Sequence, residues 1–101
     1  MHDLMGRAVD EGEVTSIRQT LADTHDVKSV HDMRTCKMGD MIVVDPRIEV
    51  DASISVEAGH DIAVEARQRV LQRHRVLNLM THVDPWRRPE LDQAGLAVPA
   101  R

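Results

Sequence analysis

The stretch from Val27 to Val50 constrains this chain more than any other. It holds two runs of alternating polarity joined by Met38-Gly39-Asp40. In an extended strand successive side chains point to opposite faces. Val27, Ser29, His31, Met33 and Thr35 therefore share one face of the first run, and Lys28, Val30, Asp32, Arg34 and Cys36 the other. In the second run Ile42, Val44, Ile48 and Val50 form an apolar face, with Met41, Val43, Asp45, Arg47 and Glu49 opposite. Gly39 suits the positive φ of a tight turn. The two runs thus predict an antiparallel hairpin. Pro46 has no N–H to give a neighbour, so the second strand is either an edge or carries a bulge that re-aims Asp45.

The flanking segments read as helices and one more strand. Val14, Ile17 and Leu21 recur at helical spacing, which predicts a helix over 11–24. Ser55 suits a cap, with Glu57 in the first turn, for a helix running to about Arg73. Its apolar stripe is Gly59, Ile62, Ala63, Ala66 and Val70. His60 falls about 100° from the centre of that stripe, at the border of core and solvent. Arg67, Gln68, Arg69, Gln72 and Arg73 read as a solvated face, and His74 as a partner for the helix dipole. Residues 76–83 form the last apolar run, a third strand that ends at Pro85. The order α-β-β-α-β predicts an α+β, ferredoxin-like two-layer sandwich: a three-stranded sheet with both helices on one face. The other face, with Asp45, Arg47 and Glu49, is left to solvent or to another molecule.

Composition narrows the function. Apolar residues make up 42% of 101, yet there is no Phe or Tyr and one Trp, so the core is aliphatic and thin. A core of that kind calls for an oligomer or a metal to complete its stability. A net charge of −4 without a basic run argues against a nucleic-acid partner. The lone Cys36 fits a reducing compartment. No apolar stretch approaches the roughly 20 residues of a membrane helix, and no signal peptide is evident. Residues 1–10 read as a flexible lead-in, 11–86 as the domain, and 87–101 as a disordered tail.

The chemistry gathers at Thr81-His82-Val83-Asp84-Pro85-Trp86. His82 and Asp84 share a strand face, an imidazole and a carboxylate in the pattern of a half-site for a divalent metal. The plainer reading is a strand-end histidine held by its neighbouring carboxylate. His31, His60 and His74 lie in segments that can fold back towards them, while His25 reads as a solvated loop residue. The donor set suits Zn²⁺ or Fe²⁺, with Cu²⁺, Ni²⁺ and Co²⁺ able to bind in vitro. His82 and Asp84 could also act as an acid–base pair in an enzyme. Against that, the chain has no Gly-rich phosphate loop and no nucleophile with a base at a recognisable spacing.

Five segments in order carry a resemblance: Val30-His31-Asp32-Met33-Arg34-Thr35, Met38-Gly39-Asp40, Ile48-Glu49-Val50-Asp51, Ser55-Val56-Glu57-Ala58-Gly59-His60 and His82-Val83-Asp84-Pro85. Together they resemble the cytoplasmic C-terminal domain of cation diffusion facilitator transporters, and within it the magnetosome branch. The resemblance implies a metallochaperone-like domain that forms a V-shaped homodimer and closes on divalent metal to regulate iron or zinc transport. It implies metal ligands at His60, His82 and Asp84, and at Asp45 in the magnetosome branch. His31 and Glu49 are further candidates, for metal or for the dimer surface, and Trp86 is a reporter beside the site. It implies attachment to a membrane domain on the cytoplasmic face of a magnetosome or inner membrane, and pairing with a sister magnetosome transporter. One position departs: many members carry a histidine where this chain has Arg47, and a guanidinium does not ligate. A free-standing metallochaperone or metal-buffering protein is the alternative with the same fold.

Overall fold

The computed structural model describes residues 9–87. Its elements are α1 (Glu11–Ala22), β1 (Ser29–Met38), β2 (Met41–Asp51), α2 (Val56–Arg73), β3 (Val76–Leu79) and β4 (His82–Trp86). β1 and β2 are the expected antiparallel hairpin, with Met38 paired to Met41 and Gly39 at φ +66° in the turn. β3 and β4 both run parallel to β2, on the side away from β1. A parallel return needs a crossover, and α2 supplies it. The fold is therefore the α+β sandwich that the sequence predicts, with the last strand in two pieces and four strands in the sheet.

Pro46 explains that division. Ile42 N donates to Arg75 O, and Val44 O accepts from Met80 N, so the even-numbered residues of β2 turn their backbone groups towards the last strand. The alternation carries Pro46 to the same side, where it has no N–H to offer. Pairing stops after Leu79 opposite Val44 and resumes with His82 opposite Arg47. β2 is thus the central strand rather than an edge. On its other side a bulge does occur, but in β1: Asp32 and Met33 fill the interval opposite Pro46, with Asp32 at φ +52°. The extra residue flips the alternation of β1. Val30 and Met33 both pack on the core, and Met33 does not share the face of His31 as strict alternation predicts.

Both helices cover one face of the sheet. Ile17 and Leu21 of α1, Ala66 and Val70 of α2, Ile42 and Val44 of β2, and Val76 and Leu79 of the last strand form one buried cluster. Ile48, Val50 and Ile62 form a second. Every buried hydrophobic side chain of this core is aliphatic, and each large one is worth about 1.5–3 kcal/mol on burial. Val9 is also buried, and Asp10 caps α1 by accepting from Gly12 N and Glu13 N. The domain therefore begins before Glu11, within what reads from sequence as a lead-in. The rest of that lead-in, residues 1–8, and the tail from 88 onwards lie outside the described residues. Ser55 caps α2 as expected, accepting from Ala58 N at 3.0 Å.

Two expectations for α2 change. Arg67 Nε donates to Leu79 O at the end of β3, and Arg69 Nη1 to Thr24 Oγ1. These arginines tie the helix to its surroundings rather than only facing water. His74 does not serve the dipole with a charge. Its backbone N–H donates to Val70 O, and its Nε2 lies 2.9 Å from Thr20 Oγ1 on α1. Thr20 gives its own hydroxyl proton to Ser16 O, so the ring is the donor in that bond. Burial, and then the positive charge of Arg73, push the His74 pKa below its ordinary value, so the ring is neutral at pH 7.

Candidate metal centre

The uncovered face of the sheet carries the polar groups. Asp45, Arg47 and Glu49 alternate outward along β2, half-buried, while Ile48 and Val50 point into the core. β1 brings His31 opposite Arg47, and β4 brings His82 opposite the same residue on the other side. Asp84 stands opposite Glu49. Three strands thus place the imidazoles of His31 and His82, the carboxylates of Asp45, Glu49 and Asp84 and the guanidinium of Arg47 on one surface, with Arg34 in register opposite Asp45.

These groups divide into three sets. His82 Nε2 lies 2.9 Å from Asp45 Oδ1. That oxygen is shielded from solvent and has no donor in hydrogen-bonding geometry among the described residues. The two atoms are close, but the ring N–H does not point along the line between them. Asp84 is held by Arg47, whose Nη1 donates to Oδ2 at 3.1 Å and to Oδ1 at 3.3 Å. The Nε of the same guanidinium lies 3.8 Å from Asp32 Oδ2. His31 Nε2 lies 3.4 Å from Glu49 Oε2, and Ser29 Oγ donates to the other oxygen at 2.7 Å.

His60 stands apart from all three. It is exposed on α2 and lines a groove of about 390 Å³ between that helix and β4, together with Thr81, Val83 and Asp84. Trp86, at the end of β4, carries Lys28 Nζ over its ring at 5.2 Å from the centroid. Among the described residues no three His, Cys, Asp or Glu side chains converge on one point. Sequence spacing placed His82 and Asp84 together. The structure instead couples His82 to Asp45 and Asp84 to Arg47. Arg47, which departs from the histidine of many family members, is the group that holds Asp84.

The residues can still take a metal. A buried carboxylate oxygen with no hydrogen-bond donor is costly, and a cation would satisfy it. Two ligand atoms of a tetrahedral Zn²⁺ stand about 3.3 Å apart, so Asp45 Oδ1 and His82 Nε2 need open by only a few tenths of an ångström. They supply two donors, and the remainder must come from water, from His60 or Asp84 after movement, or from a second protomer.

Residues 9–86 match the family model of the cation efflux protein, cytoplasmic domain. The chain belongs to that family. Metal tolerance protein 2 of Oryza sativa subsp. japonica is 32% identical over 82 residues, covering 80% of this chain and 21% of that protein. MamV of Paramagnetospirillum magneticum is 33% identical over 70 residues, 69% of this chain and 21% of that protein. Among solved structures, a nickel form of the MamM C-terminal domain superposes with a TM-score of 0.74 at 22% identity, covering 76% of this chain and 99% of that one. A manganese form gives 0.72 at 25% identity, covering 75% and 98%. The chain spans only about a fifth of the two relatives named. The family is one of transporter domains, so the acid–base reading of His82 and Asp84 falls away.

Proposed function

We propose that this chain is the cytosolic regulatory domain of a divalent-cation transporter, attached to a membrane part of the same protein, and that metal binding closes a V-shaped homodimer of it. The observation that carries the reading is the buried, donorless Asp45 Oδ1 at 2.9 Å from His82 Nε2. It lies on the sheet face that neither helix covers. Asp45 and His82 are the first ligands. His60 and Asp84, on the wall of the neighbouring groove, complete the set as the protomers close. His31 and Glu49 already satisfy each other and belong to the dimer surface.

Iron or zinc is the metal we favour. The relatives include a manganese efflux protein, MneS of Bacillus subtilis, as well as MamV. Likeness to MamV supports a magnetosome role, on the cytoplasmic face of the magnetosome or inner membrane, and we extend the proposal to a sister transporter as a further partner. An imidazole–carboxylate pair does not itself rank these ions.

The test is a Zn²⁺ titration of the chain by calorimetry, with sedimentation and small-angle scattering over the same range. The reading expects a dimer without metal, saturable binding, and a smaller radius of gyration as the ion binds. Monomer alone at micromolar concentrations, or no saturable binding, would sink it. Binding without compaction would favour the metal-buffering protein instead.

A further inference from the structure

Arg47 is the one cation among the outward-facing residues of β2. It is flanked in register by His31 on one side and His82 on the other. Its guanidinium holds Asp84 through Nη1 and reaches towards Asp32 through Nε. We propose that Arg47 is a built-in competitor of the metal: it occupies Asp84 in the metal-free domain and so sets the concentration at which the domain responds. This rests on the metal-binding reading given above.

The argument is one of shared ligands. Asp84 has two oxygens, and both are engaged by one nitrogen of Arg47. A carboxylate that joins a metal must give up that contact. A guanidinium stays charged at any pH the protein meets, so the competition cannot be relieved by deprotonation. Asp45 and His82 are not held in this way. An ion there has only to part the Asp45–His82 pair, whereas at the Asp84 end it must displace a cation that the chain carries itself. A histidine at position 47 would have added a ligand. The arginine removes one and takes a second out of use.

The competition is directional, which allows it to be separated from simple repulsion. A fixed positive charge beside the site disfavours any cation, whatever Asp84 does. A latch acts only through Asp84. Zn²⁺ affinity measured by calorimetry on four proteins distinguishes the two: the native chain, Arg47→Gln, Asp84→Asn and the double variant. The latch expects Arg47→Gln to bind at least about tenfold tighter, the scale on which outer-shell partners move metal affinity. It expects that gain to vanish in the double variant. Unchanged or weaker binding by Arg47→Gln would overturn the proposal, as would a gain that survives intact without Asp84. Circular dichroism on the metal-free proteins checks the fold. If Arg47→Gln does not fold, Arg47→Lys serves, since a lysine ammonium keeps the charge but loses the planar grip, and tightening of the same sign is expected.

The outcomes separate this proposal from the reading beneath it. Saturable binding by the native chain that is lost in His82→Ala, with no gain in Arg47→Gln, overturns the latch alone. No binding by the native chain but binding by Arg47→Gln overturns the regulatory reading and upholds the latch. No binding by either overturns both.

Discussion

His82 Nε2 lies 2.9 Å from Asp45 Oδ1, diagonally across the step where Pro46 interrupts the pairing of β2 with the last strand. The break and the site are thus one feature. A continuous strand would pair through Met80 and Thr81. Instead, Thr81 Oγ1 and Asp45 Oδ1 are both buried there without a partner in hydrogen-bonding geometry among the described residues, and Asp45 Oδ1 keeps only its close approach to His82. His82→Ala and Asp45→Asn should each weaken Zn²⁺ binding by more than the roughly 10–100-fold that removal of an outer-shell partner costs. His74→Ala should leave it unchanged, because that ring is committed to Thr20 at the far end of α2. Calorimetry giving equal losses at His74 and His82 would displace the site.

His74 should instead matter to stability, and in a pH-dependent way. Its folded pKa lies below the ordinary 6.5, chiefly through burial. The unfolded chain therefore takes up the proton first as pH falls, and protonation favours unfolding. The contribution of the neutral ring is complete above pH 6.5 and is lost progressively as pH falls below it. Denaturant melts at pH 7.5 and 5.5 should show a larger drop for the native chain than for His74→Asn, which keeps a donor for Thr20 without titrating. Equal drops would show that the His74–Thr20 contact is not the titrating element.

Gly59 is a helix position that the packing does not require to be glycine. It is buried inside α2, yet a Cβ there would sit 3.9 Å from Ile54 and Val50 and 4.0 Å from Val83, in ordinary contact. Its φ is not positive. Gly59→Ala should therefore stabilise the domain by about 0.5–1 kcal/mol, through helix propensity and reduced unfolded-state entropy. A lower midpoint in urea would mean that the groove beside β4 needs the space.

The elements were legible in the sequence because their periods are. The alternation of 41–50 gave the central strand and both of its faces, and the stripe from Gly59 to Val70 gave the buried side of α2. Pairing across strands was less legible, since register depends on residues far apart in the chain. Spacing put His82 with Asp84, but β2 placed Arg47 and Asp45 against them and divided the pair. The bulge at Asp32 escaped for a related reason: the proline that accompanies it lies on the neighbouring strand. Pro46 signalled an irregularity, and the choice between an edge and a bulge could not show that the central strand would hold it. Both helix starts, Glu11 and Val56, fall where the pattern puts them, but the cap was legible only at Ser55 and not at Asp10, although Glu11 and Glu13 follow Asp10 as Glu57 follows Ser55. At Asp10 the preceding residues looked too polar to belong to the domain.

The chain's one indole offers the most direct view of closure. Trp86 follows Asp84 by two residues, about 7 Å along the strand, and is half-buried with Lys28 above its ring. A metal held at Asp45 and His82 that recruits Asp84 must draw on the strand that ends at Trp86. If two protomers then approach, the solvent around the indole changes as well. Zn²⁺ has a closed d shell and does not quench as a paramagnetic ion can, so a saturable change in Trp86 emission on adding it reports structure. Chelator should reverse the change, and His82→Ala combined with Asp84→Ala should largely abolish it. Lys28→Met should alter the emission of the metal-free protein while leaving the Zn²⁺ midpoint in place, because Lys28 touches the reporter and none of the proposed ligands. Arg47→Gln should move that midpoint to lower Zn²⁺. If the Lys28 variant moved the midpoint as far as Arg47→Gln does, the signal would follow overall charge. It would then not be evidence that β4 is drawn towards the ion.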